Sequence, residues 1–342
     1  MERNLGLGWT IALICGFAGC GGDDTGTGGG TDSGILLADT GAVVDAGMDV
    51  GTEAQAPTDS AAPDASSKLA SIGTVWVILF ENHDWSQIVG NTTAPYMNSL
   101  LSLGAYAQQY YNPPLNHPSL PNYLWINAGD NLGIIDDNEP PFHTLATTDH
   151  LADYLENQSI SWKAYEESID GTTCPMAETA SYAPKHDPFV YFSDVNGNLN
   201  YASPRCLQHV RPYTELASDI ASGSVSRYNF ITPNLCHDMH DCSVSAGDAW
   251  LSINLPIIMG TPQYKSGGAV FVTWDEADDG DGPIGMMVMS PKAKVGYSNS
   301  IHYDHSSLLK TLQEIYGVMP LLRHAADPTT NDLSDLFADS SN

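Results

Sequence analysis

The sequence carries little positive charge, and one long segment of it has no large aromatic or basic side chain. Its 342 residues include 12 Lys and Arg against 41 Asp and Glu, which gives a formal net charge of −29. Binding to nucleic acid or to an anionic membrane depends on clustered Lys and Arg, so this composition argues against both partners. Residues 21–67 contain no Lys, Arg or aromatic residue, which predicts a disordered linker that buries too little apolar surface to fold.

The sequence also lacks a long apolar run at its N-terminus. The stretch Leu5–Ala18 has the length of a signal-peptide core and is too short to span a bilayer. The letters Phe-Ala-Gly-Cys20 at its end resemble a lipobox, in which Cys20 is lipidated. We therefore expect an exported protein, with ordinary secretion or an uncleaved anchor as the alternatives to a lipoprotein. Its expected parts are a signal peptide at 1–19, lipidated Cys20 and linker at 20–67, and one folded domain at 68–342.

Two apolar runs end in pairs of residues with oxygen-bearing side chains. The first, Thr74–Phe80, is followed by Glu81 and Asn82, and the second, Ala269–Trp274, is followed by Asp275 and Glu276. A run without polar alternation is typical of a strand buried on both faces, as in parallel sheets covered by helices. Ligands bind beyond the carboxyl ends of such strands, so the four residues are candidates to hold one hard cation.

A third segment, His117-Pro-Ser-Leu-Pro-Asn122, precedes an apolar stretch that ends at Gly129. Pro121 suits the first turn of a helix and Gly129 suits its end. Ser119 is then either an N-cap or an oxygen nucleophile placed where free N–H groups favour an anion.

Several short motifs resemble those of one family. They are the Glu81-Asn82 pair, the Ser119 segment, Pro233-Asn-Leu-Cys-His-Asp-Met-His-Asp241, and Thr273-Trp-Asp-Glu276. Together they are similar to the phosphoesterase family of acid phosphatases and phospholipases C, which is related to the alkaline phosphatase superfamily. The resemblance implies an α/β fold with a mostly parallel central sheet flanked by helices on both faces.

The resemblance also implies a set of roles. Ser119 would attack phosphorus and form a phosphoseryl intermediate. One divalent cation (Ca²⁺, Mg²⁺, Mn²⁺ or Zn²⁺) would be held by Glu81, Asn82, Ser119, Asp275 and Glu276. The other catalytic residues would be His240 and His305. The substrate phosphate would be bound by His117, Asn122, His186 and Asp238.

These roles predict a hydrolase for small phosphate esters, most simply an acid-phosphatase-type phosphomonoesterase acting in residues 68–342. A phospholipase C-type phosphodiesterase is one alternative, and a silent ligand-binding surface lipoprotein is the other. In each case membrane contact would come only from the lipid on Cys20.

Four cysteines remain beyond the N-terminal segment, and an even number in an exported domain predicts two disulfides. The short segment between Cys236 and Cys242 favours a bridge there, which leaves Cys174 to pair with Cys206. A zinc site that adds His237 and His240 to the first pair is the alternative.

The segment after His305 predicts a helix that ends at Gly317, with Ser306 or Ser307 as its cap.

Overall fold

The protein is described here by a computed structural model of residues 68–278 and 280–339. The expected signal peptide, Cys20 and linker lie outside the described residues. Within these ranges, no helix is both long and apolar enough to cross a membrane.

In residues 68–278 and 280–339, ten strands form two sheets. Their bounds are β1 Val75–Phe80, β2 Ala105–Ala107, β3 Tyr110–Tyr111, β4 Trp162–Glu166, β5 Val210–Pro212, β6 Tyr228–Thr232, β7 Ala269–Trp274, β8 Met286–Met289, β9 Tyr297–Asn299 and β10 Tyr303–Asp304. The large sheet has the order β5-β4-β6-β1-β7-β8-β2-β9, and β3 pairs with β10 in a small parallel sheet. In the large sheet only β8 runs antiparallel to its neighbours.

The described helices alternate with the strands. Their bounds are α1 Trp85–Ile88, α2 Pro95–Leu100, α3 Ser119–Ala128, α4 Leu151–Asn157, α5 Ser193–Asn196, α6 Pro204–His209, α7 Glu215–Ser222, α8 Val244–Met259, α9 Pro262–Lys265 and α10 His305–Tyr316. Short 3-10 segments lie at Pro184–His186, Pro188–Tyr191, Arg323–Ala326 and Leu333–Leu336. Helix α2 packs against α8, and α3 packs against α10.

The centre of the large sheet is covered on both faces. Every residue of β1 and β7 is buried, as their uninterrupted apolar runs predict. The α/β fold with a mostly parallel sheet flanked by helices is thereby confirmed.

Helix starts differ from the sequence prediction by a few residues. Helix α3 begins at Ser119 and ends at Ala128. The next residue, Gly129, has a φ of 72°, in the left-handed conformation that glycine adopts most readily. Helix α10 begins at His305 because Asp304, and not Ser306 or Ser307, is its cap. The Asp304 carboxylate accepts from the Ser307 backbone N–H, and the Ser307 hydroxyl accepts from the Asp304 N–H.

Candidate active site

The two polar pairs at the strand ends lie side by side. Strands β1 and β7 are parallel neighbours, and their register places Phe80 opposite Trp274. The residues that follow therefore meet at the same edge of the sheet, where the Asn82 backbone N–H donates to Asp275 Oδ1 at 2.9 Å. The Asn82 amide also donates to Glu81 Oε2 at 3.3 Å.

Ser119 is the first residue of α3 and joins this group through its side chain. Its Oγ donates to Glu81 Oε2 at 3.0 Å, and the Tyr123 hydroxyl, one turn along the same helix, donates to Glu81 Oε1. Ser119 is 2% exposed and Glu81 is fully buried. The helix thus presents its N-terminus and a hydroxyl to a buried carboxylate.

The carboxyl groups at these strand ends have unusual electrostatics. Burial, and then the charges of Asp275 and Asp238, raise the pKa of Glu81 well above its ordinary value. Burial raises the pKa of Asp275 to about 6, and burial together with the charge of Asp275 raises that of Glu276 to about 9. Carboxylates gathered away from water repel one another, and a cation between them relieves that repulsion.

The donor set fits a hard divalent cation. Asp275 Oδ2 is buried and has no hydrogen-bond partner in the part of the chain that the structure describes. Glu81 and Ser119 bring their oxygens to its carboxyl group, and Asn82 adjoins both carboxylates. A set of oxygen ligands is typical of Ca²⁺, Mg²⁺ and Mn²⁺ sites.

Glu276 is held by two residues expected to bind phosphate. Its Oε2 lies 2.7 Å from His117 Nδ1 and accepts from the Asn122 amide at 2.9 Å. The Asn122 amide also donates to the Asn116 carbonyl, and its oxygen accepts from the Asn116 side chain. Asn122 is fully buried, so the geometry gives it a supporting role in place of the expected direct contact with phosphate. His117 is half-exposed, and its second nitrogen lies 3.4 Å from Asp281.

His186, Asp238 and His240 form the opposite wall of the site. His186 lies between two carboxyls, with Nδ1 at 3.2 Å from Asp238 Oδ2 and Nε2 at 3.4 Å from Glu81 Oε2. Its ring stacks on that of Tyr123. Burial, and then the charges of Lys185 and His240, lower the pKa of His186 well below its usual value, while burial raises that of Asp238 to about 7.

The loop that carries Asp238 and His240 is closed by a disulfide. Cys236 pairs with Cys242 and Cys174 pairs with Cys206, which confirms the expected bridges. The alternative zinc site is wrong because both of its thiols are consumed by the bridge. The Asp238 carbonyl accepts from the Glu81 N–H at 2.9 Å, which fixes this loop against the end of β1.

Glu81, His186 and His240 place one ligand atom each close enough together to share a metal ion. However, Lys185 Nζ lies 3.2 Å from His240 Nε2. An ammonium at that distance repels a second cation, so these three residues are a weaker candidate for a metal site than the oxygen cluster of Glu81, Asn82 and Asp275.

His305 lies beneath the oxygen cluster. Its Nε2 is 2.6 Å from the Asp275 carbonyl, and its Nδ1 is 3.0 Å from the Tyr110 hydroxyl. Burial lowers its pKa to about 4, so the ring is neutral and donates to the carbonyl. The sequence predicts that His305 is a catalytic residue. In the structure both of its ring nitrogens have partners, and the ring supports the loop of Asp275.

The sequence did not predict a role at the site for Lys185 or for Asp137. The Lys185 ammonium donates to Asp137 Oδ2 at 3.0 Å, and Asp137 Oδ1 accepts from the Leu120 N–H at 3.0 Å. The available signal was a lysine beside His186 in a chain with only 12 Lys and Arg. Nothing in the sequence around Asp137 indicates its contact with α3.

Comparison with known proteins gives one family match. The sequence matches the Phosphoesterase family over residues 87–319. It is 30% identical over 257 residues to the phosphatidylinositol-3-phosphatase of Mycobacterium tuberculosis, which covers 74% of this chain and 80% of that protein. It is 26% identical over 239 residues to the phosphate-repressible acid phosphatase of Penicillium chrysogenum, which covers 66% of this chain and 55% of that enzyme. The chain thus spans little more than half of the fungal protein.

Two solved structures share the fold. A phosphonate monoester hydrolase from Silicibacter pomeroyi superposes with a TM-score of 0.52 at 11% identity, over 79% of this chain and 77% of that one. A protein of the alkaline phosphatase superfamily from Vibrio parahaemolyticus superposes with a TM-score of 0.51 at 10% identity, over 75% of this chain and 70% of that one.

Proposed function

The chain belongs to the Phosphoesterase family, and on that premise we propose that it is a metal-dependent phosphomonoesterase of the acid-phosphatase type. Membership makes it a phosphoric ester hydrolase. The observation that carries the finer proposal is the contact of the Ser119 hydroxyl with Glu81, beside the unpartnered oxygen of Asp275.

Ser119 is the nucleophile in this proposal. Its Oγ forms a bond to phosphorus as the bond from phosphorus to the alcohol oxygen breaks, and its proton has an acceptor in the Glu81 carboxylate. The positive end of the dipole of α3 favours the negative charge that gathers there. Water then displaces the serine oxygen from the phosphoseryl intermediate, which releases phosphate and restores the enzyme.

One cation would be held by Glu81, Asn82, Ser119, Asp275 and Glu276. When bound, such a cation lowers the pKa of a nearby hydroxyl and stabilises negative charge on phosphoryl oxygens.

The wall opposite the oxygen cluster would receive the phosphoryl group. His186 Nε2 is buried and has no hydrogen-bond partner among the described residues, which leaves it able to contact a phosphoryl oxygen. His240 lies closer to solvent and is placed to give a proton to the departing alcohol. Asp238 holds His186 in position, while His117, Asn122 and His305 hold the residues that bind the cation.

A lipid-borne phosphomonoester is a second candidate substrate. Leu115, Ile135 and Phe142 are 86%, 74% and 74% exposed, and they lie on the loops that also carry His117 and Asp137. The relative from Mycobacterium tuberculosis is named for a phosphorylated lipid. If a lipid is the substrate, Phe142→Ser should slow hydrolysis of long-chain phosphatidylinositol 3-phosphate in neutral micelles and spare p-nitrophenyl phosphate. Val295→Ser, at the opposite edge of the sheet and equally exposed, is the control.

A panel of chromogenic esters tests the proposal. The full chain is assayed on p-nitrophenyl phosphate, p-nitrophenyl phosphorylcholine and p-nitrophenyl sulfate, before and after exhaustive chelation. We expect the phosphomonoester to be the best substrate and chelation to abolish its hydrolysis. Preference for the phosphorylcholine diester would indicate a phospholipase C-type enzyme, and full activity after chelation would remove the metal from the account.

A further inference from the structure

Lys185 is a basic side chain that lies beside His240 and is attracted by the charges of Glu81 and Asp275 in the oxygen cluster. It lies in the short 3-10 segment Pro184–His186, directly before His186, and its side chain is 19% exposed. Its ammonium donates to Asp137 Oδ2 at 3.0 Å and lies 3.2 Å from His240 Nε2. A largely buried lysine fixed by two partners loses much of its conformational freedom, so its ammonium is held in one place.

Asp137 ties this lysine to the helix of the nucleophile. One carboxylate oxygen holds the lysine, and the other accepts the backbone N–H of Leu120, the residue after Ser119. The ammonium is therefore positioned by the same carboxylate that binds the first turn of α3.

The surroundings keep the lysine charged. Burial opposes the charge, but Asp137, Glu81 and Asp275 outweigh it and raise the pKa of Lys185 above its ordinary value. An ammonium has three N–H donors, and in the described part of the chain the structure gives two partners to this one.

His240 lies between this ammonium and a carboxylate. Its Nδ1 is 2.8 Å from Asp241 Oδ1, and its Nε2 is 3.2 Å from Lys185 Nζ. Lys185 therefore brings a positive charge to the side of the site where the sequence analysis assigned phosphate binding to histidines.

We propose that Lys185 is a further catalytic residue, whose ammonium binds a non-bridging oxygen of the phosphoryl group while Ser119 attacks, and that Asp137 is its positioning residue. This inference rests on the proposed phosphatase function. A fixed cation that faces the oxygen on which charge gathers stabilises the transition state without reorganisation during the reaction.

The test removes the charge and keeps the length of the side chain. We expect Lys185→Met to lower kcat/KM for p-nitrophenyl phosphate roughly 100-fold, as loss of one preorganised donor does in other enzymes. Inorganic phosphate should inhibit this variant about 10-fold more weakly, because product and transition state share the same oxygens. Lys185→Arg should recover most of the phosphate inhibition, since its charge is permanent.

Lys163→Met is the matched control. Lys163 is 21% exposed and pairs with Asp219, but it lies near the start of β4, away from the strand ends that carry the site. Its replacement should leave kcat/KM and phosphate inhibition unchanged. Melting temperatures of all variants separate a loss of charge from a loss of fold.

A double-mutant cycle tests Asp137. Asp137→Asn should lower kcat/KM by about 10-fold, and it should add almost nothing in a chain that already carries Lys185→Met, because the two act as one unit. Additive losses would overturn the positioning role.

The inference and the proposed function can fail separately. If Lys185→Met keeps its kcat/KM and its phosphate inhibition within threefold of the wild type, the lysine is structural and this inference is wrong. Binding of inorganic phosphate to Ser119→Ala, measured by calorimetry with and without Lys185→Met, needs no turnover. Weaker binding in the double variant supports the lysine even if the wild type hydrolyses none of the esters, and equal binding overturns it.

Discussion

At the scale of single residues, Ser119 is the proposed nucleophile. Ser119→Ala removes the attacking oxygen and one hydrogen bond to Glu81, so we expect turnover of p-nitrophenyl phosphate to fall to background with an unchanged circular dichroism spectrum. Ser193→Ala, which alters the first residue of another helix, should stay fully active. Near-normal turnover by Ser119→Ala would exclude Ser119 as the nucleophile and leave it only a structural role at the start of α3.

Asp275 is the residue of the proposed cation site whose role can be tested most directly. Asp275→Asn removes a negative charge from the oxygen cluster but keeps the acceptor for the Asn82 N–H. We expect the variant to lose its metal on dialysis and to need at least tenfold more added cation for half-maximal activity. Metal analysis of the dialysed proteins checks this, with Asp248→Asn, whose carboxylate accepts from the backbone N–H groups of Tyr96 and Met97 in α2, as control. Equal metal content in Asp275→Asn and wild type would exclude this cluster as the site.

Sequence alone identifies the residues whose placement follows from the backbone. Glu81 and Asp275 were predicted together because each directly follows a buried strand, and parallel strands end at one edge. Lys185 and His305 depend on tertiary contacts: Lys185 on Asp137, and His305 on the Asp275 carbonyl and Tyr110. No local pattern encodes those partners.

At the scale of elements, the two disulfides have different tasks. The Cys174–Cys206 bridge spans 32 residues and the Cys236–Cys242 bridge spans 6. By loop-closure entropy, replacing the two cysteines of the first bridge by Ala should lower the free energy of unfolding by about 4 kcal/mol. The same change at the second bridge should lower it by about 2 kcal/mol.

Activity should follow the opposite order. The shorter loop carries Asp238 and His240, so Cys236→Ala with Cys242→Ala should lower kcat/KM several-fold at a temperature where both double variants remain folded. Denaturant melts and assays of the same samples provide the comparison. A larger activity loss for the Cys174–Cys206 pair would contradict this assignment.

Asp335 binds the 3-10 segment Leu333–Leu336 to β9 and makes stability depend on pH. Partial burial opposes its charge, but bonds from Lys294, Tyr297 and Asn299 outweigh it and lower its pKa to about 2. Because the pKa of Asp335 is lower in the folded state than in the unfolded state, where it is about 3.9, its charge stabilises the fold at pH values above about 3.9. This contribution is lost as the pH falls through the pKa of the folded state.

We therefore expect Asp335→Asn to reduce the free energy of unfolding at pH 7 by about 1 kcal/mol, a figure discounted for solvent screening. The difference from wild type should shrink between about pH 4 and pH 2. Urea melts across that range measure it, with Asp339→Asn, an exposed partner of Lys68, as control. A difference that stays constant with pH would show that the effect is not one of charge.

The bounds of a strand or helix were predicted correctly where one strong sequence pattern determines them. Strand β7 has the predicted bounds because its six residues are all apolar or packed inside the sheet. Helix α10 starts earlier than predicted because its capping box runs from Asp304 to Ser307. The prediction chose Ser306 or Ser307 as the cap because these serines lie nearest to the apolar stripe.

At the scale of the whole molecule, composition and motifs predicted the fold class but not the order of the strands. Strand β6 lies between β4 and β1, and β8 is reversed, through pairings between strands far apart in sequence. Such pairings are set by packing of whole elements, which a single sequence does not display. The formal net charge of −29 repels an anionic substrate, which is the reason that our proposal places a cation and Lys185 at the site.

The central claim is that Ser119 accepts the phosphoryl group, and a trapped intermediate tests it most directly. The full chain, loaded with divalent cation, is mixed with excess p-nitrophenyl phosphate, quenched in acid within the first turnover and digested for mass spectrometry. The account predicts phosphoserine at Ser119 and at no other position, and none in a sample of Ser119→Ala treated identically. Rapid hydrolysis with an unmodified Ser119 at every quench time would contradict it and would indicate direct attack by water.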